Sequence, residues 1–257
     1  MISIIIPAYN EEKYLPKLLQ SIKKQNFHDY EIIVADANSK YKTKEVDISY
    51  GAKVINGGRP AFGRNNAAKI AQGEYLLFLD SDVILPQSFL QKAINEFKRK
   101  KLDIAITAIK PISNIEIDKL IYKTHNDIIA HASKIYPLTP GSSIIITKKL
   151  HYELGGFDEK MHISEDNDYG KRAKKIANYG AITGTYVKLS MRRLNKEGRI
   201  KLVKKYFDNS IFEQLEKIGI KKKIEYNFGE FKEQESLSEL ETKLENALKF
   251  LNKLFKK

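Results

Sequence analysis

Through the first hundred residues, short apolar runs alternate with stretches of helical periodicity. "ISIIIPA" at 2–8 is a β-branched run, and "NEEKYLPKLLQSIKKQ" then repeats Leu15, Leu18, Leu19 and Ile22 at helical spacing. "YEIIVAD" and "AKVING" read as strands, "FGRNNAAKIAQ" as a helix and "EYLLFLD" as a strand. "PQSFLQKAINEFKRK" is a helix with proline near its start, and "LDIAITAIK" is a further strand. Buried strands alternating with helices predict an α/β fold around a mostly parallel sheet. Ligands of such sheets collect at the carboxyl ends of the strands. Pro7-Ala8-Tyr9, Asp36 and Asp80-Ser81-Asp82 all fall at such ends.

From about 111 to 195 the pattern is less regular. It contains the apolar run "GSSIIIT", the glycine pair of "ELGGFDE" and the polar cluster "HISEDNDYGKRAKK". From "RRLNKEGRIKLVKKYF" onward the chain reads as helical and basic, with a linker around 219–235. In the tail, Leu237, Leu240, Leu244, Ala247, Leu251 and Leu254 keep a/d heptad spacing. No internal repeat is visible.

The 257 residues are 42% hydrophobic and 30% charged, the balance of a soluble globular protein. There is no cysteine, which excludes disulfides, thiolate metal sites and cysteine nucleophiles. No apolar run approaches the ~18 residues a membrane span needs. The first residues carry no basic leader, so a cytoplasmic protein is expected. A formal charge of +13 points to anionic partners without choosing among nucleic acid, anionic lipid and phosphorylated small molecules.

Three strings could carry chemistry. Asp80 and Asp82 flank a small serine, and two such carboxylates can share Mg²⁺ or Mn²⁺ with the phosphates of a substrate. The same residues could instead cap the following helix. "EDNDYGKR" sets Glu165, Asp166 and Asp168 beside Arg172; it can supply a general base, or be a solvated helix start with an Asp168–Arg172 pair. "GGRPAFGRN" spaces Gly58 and Gly63 like a phosphate loop, but Arg64 and Asn65 replace the Lys and Ser/Thr, so an NTPase is rejected. The histidines at 28, 125, 131, 151 and 162 lack metal-binding spacing; only His162 lies close to the acidic cluster.

Taken together, "SIIIPAYNEEKYLPKLLQSI", "YEIIVADANSK", "FGRNNAAKIAQGEYLLFLDSDV" and "GGFDEKMHISEDNDYGKR", in this order and spacing, resemble the family 2 glycosyltransferases of GT-A fold. The resemblance covers roughly 1–195, which divides the chain into a catalytic domain over 1–195 and a basic helical extension over 196–257. It implies metal-dependent transfer, with inversion, of a sugar from a nucleotide-sugar to a saccharide or lipid-linked acceptor. By the same resemblance Asp82 and Asp80 hold the divalent cation, and Pro7, Ala8, Tyr9, Glu11, Asp36, Arg64, Asp80 and Ser81 surround the donor. Asp166 matches the catalytic base with Glu165 beside it, while Gly141, Ser142, Asp158 and Arg172 fall on the acceptor side or in support.

One departure stands out. The family often has two aspartates after the second strand, and here Ala37 takes the second place, leaving UDP versus GDP open. The alternatives are a nucleotidyltransferase making nucleotide-sugars, a basic nucleic-acid-binding protein, and an inactive scaffold of the same fold. The first lacks its glycine-rich loop after strand one, the second any recognisable module, and the intact acidic motifs oppose the third, so no nucleic acid is expected. The basic 192–205 segment, as an amphipathic helix, could rest on the inner face of a membrane or pack on the core; 237–255 could pair two copies or two helices.

Overall fold

The computed structural model describes residues 1–40, 49–132, 137–162 and 164–197. The elements in order are β1 (Ile2–Ala8), α1 (Leu15–Lys23), β2 (Tyr30–Asp36), β3 (Lys53–Asn56), α2 (Pro60–Ile70), β4 (Tyr75–Leu79), β5 (Val83–Ile84) and α3 (Phe89–Arg99). They continue with β6 (Ile104–Ile112), α4 (Glu116–Ala132), β7 (Ser143–Thr147), α5 (Lys148–Glu153), α6 (Glu165–Ile176), β8 (Tyr179–Ser190) and α7 (Arg192–Glu197). The 192–205 segment is described only as far as Glu197, and 237–255 lies outside the described residues.

The eight strands form one sheet in the order β3-β2-β1-β4-β7-β6-β8-β5. The expected parallel pairing holds for β3-β2-β1-β4. Beyond β4 the pairing turns antiparallel, β7 against β4 and β6, and β5 against β8. Apolar periodicity reports burial, not strand direction, so this reversal is a finding of the structure. The sheet with flanking helices is otherwise the α/β architecture expected.

The chain divides into two compact units: Met1–Lys110 with Ile129–Leu189, and Pro111–Ile128 with Ser190–Lys257. In the first, Ile4, Ile5 and Ile6 are all fully buried, because β1 lies inside the sheet with both faces covered. One face packs Ile5, Ile33, Phe78, Ile106 and Ile144 against Ala61, Ala67 and Ala68 of α2 and Tyr169 and Ala173 of α6. The small residues of α2 allow close approach: a Cβ on Gly63 would stand 3.2 Å from Ala35 Cβ. In the second unit, Ser113 Oγ donates to Asp118 Oδ2 at 2.6 Å, and Glu116 and Asp118 place negative charge in the first turn of α4.

His151 of α5 is buried against Phe78, Phe157 and Tyr169, its Nδ1 2.7 Å from Tyr169 Oη. Burial, helped by the Arg172 charge, lowers its pKa to about 4, and burial lowers His125 to about 4 as well. The unfolded chain therefore takes up these protons first. Their stability is fully present above the ordinary histidine value and is lost as pH falls from about 6.5 toward 4. Stability is expected to fall over that window, by on the order of 2 kcal/mol per histidine at pH 5, and the thermal midpoint to fall with it. A His151→Gln variant should show a shallower acid slope.

Candidate active site

The turn after β4 carries Asp80, Ser81 and Asp82. It does not cap a helix: the N-cap of α3 is Ser88, six residues on. Ser81 is buried, Asp80 and Asp82 are half-buried, and the Asp80 N–H reaches the Ser142 carbonyl at 3.4 Å. The Asp80 carboxylate faces Arg64 of α2, whose Nη2 donates to Asp80 Oδ1 at 2.9 Å. The other arm of the same guanidinium, Nη1, donates to Glu165 Oε1 at 2.9 Å. Arg64 is 2% exposed and its carbon Cζ stands 5.3 Å from the Phe157 ring centroid. A single buried side chain thus ties the two acidic motifs, 85 residues apart in sequence (Asp80 to Glu165), into one place.

Asp166 completes the cluster. Its Oδ2 accepts from Gly141 N–H at 2.7 Å and its Oδ1 from Asn167 N–H at 2.8 Å. Gly141 sits between the groups: a Cβ there would stand 2.9 Å from Arg64 Nη2 and 3.1 Å from Asp166 Oδ2. Burial, and next the Glu165 charge, raise the Asp166 pKa against the opposing pull of Arg64 and the two backbone donors. Three carboxylates around one guanidinium leave two formal negative charges at the site, before Asp82 is counted. A carboxyl in that field holds its proton more tightly.

The strand-end residues of β1 and β2 form a second group. Asp36 is 2% exposed; its carboxylate accepts from both the hydroxyl and the N–H of Ser39. Ser39 Oγ in turn accepts from Asn10 N–H at 2.9 Å, and Asn10 Oδ1 from Lys40 N–H at 3.0 Å. These bonds zip "AYN" to "DANSK" and hold Asn10 and Asn38 at positive φ. Pro7 and Ala8 lie in β1, and Glu11 is buried with its carbonyl accepting from Tyr14 and Leu15 N–H. Tyr9 is the exposed member, at 57%.

Supporting contacts fix the loops. Arg172 pairs with Asp168 at 2.7 Å, as its i,i+4 spacing predicts, and donates to the Leu154 and Gly156 carbonyls at 2.8 and 2.9 Å. It pins the glycine turn rather than facing Asp166. Asp158, in that loop, is exposed and accepts from Lys160 N–H. Ser142 is 5% exposed and its hydroxyl makes no hydrogen bond among the described residues.

Several residues escaped the sequence reading. Asn65, which fails as a phosphate-loop Ser/Thr, is a two-way amide clamp on Phe157, accepting from its N–H and donating to its carbonyl. Asn167 Oδ1 accepts from Thr139 N–H at 3.0 Å, and Tyr179 Oη donates to the Leu138 carbonyl at 2.8 Å, so the loop carrying Gly141 is fastened to Asp166. Arg59 meets His162 across the β3–α2 and pre-α6 loops at 2.9 Å. Among the described residues, no group of three or more His, Asp or Glu is placed to hold a metal by itself.

Replacing Arg64 by Met should keep the bulk and strand the carboxylates of Asp80 and Glu165. Breaking a buried pair costs about 3–5 kcal/mol, and partial exposure of Asp80 places the expected loss near ~3 kcal/mol. Urea unfolding of the variant measures it.

A sheet whose parallel half ends in an acidic rim, with two acidic motifs joined at one guanidinium, describes a GT-A type transferase site. The chain belongs to glycosyl transferase family 2, which matches residues 3–148. It is 36% identical over 146 residues to the poly(ribitol-phosphate) beta-glucosyltransferase of Bacillus spizizenii, covering 52% of this chain and 23% of that one. It is 30% identical over 188 residues to the poly(ribitol-phosphate) beta-N-acetylglucosaminyltransferase TarS of Staphylococcus aureus, covering 68% and 33%. The chain thus spans a quarter to a third of the length of these curated relatives. The crystal structure of S. aureus TarS 1–349 in complex with UDP-GlcNAc superposes with a TM-score of 0.62 at 25% identity, covering 74% of this chain and 58% of that one. A Pyrobaculum calidifontis mannosyltransferase in complex with GDP-Man and Mn²⁺ shares the fold, with a TM-score of 0.57 at 17% identity and 72% and 56% coverage.

Proposed function

We propose that this chain transfers a sugar, with inversion, from a nucleotide-sugar to a hydroxyl of a cell-envelope glycan or glycolipid. The observation that carries the reading is the Arg64 bridge, which sets Asp80 2.9 Å from one guanidinium arm and Glu165 2.9 Å from the other, with Asp166 alongside. Asp166 takes the proton of the acceptor hydroxyl as its oxygen bonds to the anomeric carbon of the donor. The bond from that carbon to the diphosphate breaks on the opposite face, and the nucleoside diphosphate leaves. Gly141 and Asn167 N–H groups orient the Asp166 carboxylate. Asp36 and the Asn10–Ser39 latch shape the wall for the base and ribose, with Tyr9 exposed beside them.

A divalent cation fits this set of donors. Asp82 and Asp80 would hold it; one or two carboxylates suffice when substrate phosphates complete the shell, and the site's excess negative charge favours it. When bound, the cation neutralises charge developing on the leaving diphosphate. The TarS complex favours a UDP-sugar and the mannosyltransferase complex shows a family fold that accepts GDP and Mn²⁺, so both bases belong in the test. We further propose a cytoplasmic location, in which the basic sequence of 192–205 is drawn to an anionic membrane surface. No helix among the described residues is long and apolar enough to cross a membrane.

A thermal-shift panel of UDP- and GDP-sugars with Mn²⁺ or Mg²⁺ tests the assignment, because a ligand binding only the folded state raises the midpoint by mass action. One donor should stand out and be hydrolysed slowly by water. Absence of any donor-specific shift or hydrolysis would overturn the reading.

A further inference from the structure

The rim does not end at Asp82. β6 and β8 start at the same end of the sheet, where Asp103 N–H reaches the Asn178 carbonyl at 3.0 Å, so both run toward the edge that carries Asp80. Val83 and Ile84, directly after Asp82, pair with Leu189 and Lys188 of β8. Along β8, Thr185 and Val187 are buried while Tyr186 is half-buried and Lys188 exposed, so the Tyr186–Lys188 side of the strand is open to solvent. By the same alternation Tyr186 and Lys188 share the face of Ile84. On β6, the pairing of Ile104–Ile106 with β7 carries Lys110 to the face of Asp80, two residues beyond its row. Lys110 Nζ stands 3.9 Å from the centroid of the Tyr186 ring. A floor of sheet therefore continues from Asp80 and Asp82 through Ile84 to Lys188, Tyr186 and Lys110.

Two features of this floor point to a ligand. Tyr186 offers a ring of the kind on which the C–H face of a sugar or polyol packs, beside an ammonium that seeks an anion. Neither Lys110 nor Lys188 has a carboxylate partner among the described residues. One cation on an aromatic ring and a second two residues along the same strand, neither with a carboxylate among the described residues, make poor packing and good recognition chemistry. The distance suits an acceptor: Tyr186 is three residues from Leu189, hence roughly 10 Å along the strand from the Asp82 turn. A neutral sugar at the base would thus lie one short stretch of chain from the ring.

Resting on the transferase reading above, we infer that Lys110, Tyr186 and Lys188 form an acceptor subsite for a glycan or polyol chain carrying an anionic group near the accepting hydroxyl. The Lys110 stem is long enough to yield the ring face to the ligand while its ammonium stays on the anion. Phosphodiester and uronate chains share this chemistry.

Calorimetric titration of the full chain with short ribitol-phosphate, polyuronate and neutral gluco-oligosaccharide oligomers tests the subsite without requiring the right donor. Saturable binding of one anionic oligomer, absent for the neutral one and weakened by salt, is expected. The better anionic oligomer tells phosphodiester from uronate. The Lys110→Ala/Lys188→Ala pair should weaken that binding about ten-fold, two exposed cation–anion contacts being removed. Tyr186→Ala should weaken it several-fold and Tyr186→Phe should restore it. Midpoints equal to wild type establish that the variants fold. Equal affinity for neutral and anionic oligomers, no binding at low salt, or unchanged affinity in the double variant would overturn the subsite. Donor hydrolysis, read in parallel, fails only if the transferase reading itself fails.

Discussion

Asp166→Asn is expected to bind the donor with near-normal affinity and to transfer sugar to a hydroxyl about 10²–10⁴-fold more slowly, the usual loss when a general base is removed. The amide keeps the shape and one acceptor for the Gly141 and Asn167 N–H groups, so the fold should survive. Its pH behaviour is the sharper mark. Burial and Glu165 raise the Asp166 pKa, so the wild-type rate should fall on the acid side at a higher pH than an ordinary carboxylate would give. In stability the sign is reversed from that of the histidines: the folded protein binds this proton more tightly. Stability is therefore gained as pH falls below the raised value and lost as pH rises from the unfolded value through it. The variant should lose the acid limb of the rate and that part of the stability profile together. An acceptor that attacks through an already ionised phosphate oxygen needs no base, so a near-normal Asp166→Asn rate would sink the assignment of a hydroxyl acceptor to this carboxylate.

The elements legible in the sequence were those whose burial is uniform. β1, β2, β4 and β7 are apolar runs, and α1 and α3 keep a clean helical stripe, so the parallel half of the sheet and its rim could be placed before any coordinate. β8 was missed because its sequence, "YGAITGTYVKLS", is neither continuous nor strictly alternating. Its glycines are there for neighbours: a Cβ on Gly180 would stand 2.7 Å from Leu102 Cδ2, and one on Gly184 2.7 Å from Glu96 Oε2, whose carboxylate the Gly184 N–H caps. The 17-residue α4 was also missed in the 111–195 stretch, although Ile117, Leu120, Ile121 and Thr124 recur at helical spacing.

The site divides the same way. Acids at strand ends announce themselves, whereas Asn65, Asn167, Thr139 and Ser39 act through backbone groups brought from 28 to 92 residues away or through a neighbour's turn. Nothing in the sequence marks such a partner. Arg64 lies between these cases: its place next to a donor followed from resemblance, but its double bridge to Asp80 and Glu165 is a tertiary fact. With both arms engaged, it acts on a donor through the carboxylates it orients.

Removing the divalent cation is expected to have the largest effect of all. In EDTA, transfer and donor hydrolysis should both vanish, and Mn²⁺ or Mg²⁺ should restore them. The reason is charge: a donor diphosphate must approach a cluster in which one guanidinium already faces Asp80, Glu165 and Asp166, with Asp82 on the same turn as Asp80. Without a cation, like charges oppose the approach and nothing stabilises the leaving group. Asp82→Asn should reproduce the loss at ordinary metal concentrations while leaving the Arg64 pairs with Asp80 and Glu165 in place. Asp80→Asn should differ: it weakens the Arg64 pair, so it should lose stability as well as activity. In Asp80→Asn a cation ligand and the Arg64 counter-ion are lost together. Cation binding should also draw the acid limb of the rate back toward lower pH, since positive charge beside Asp166 favours its ionised form. Full transfer in EDTA, by protein shown by elemental analysis to retain no metal, would remove the cation from the mechanism.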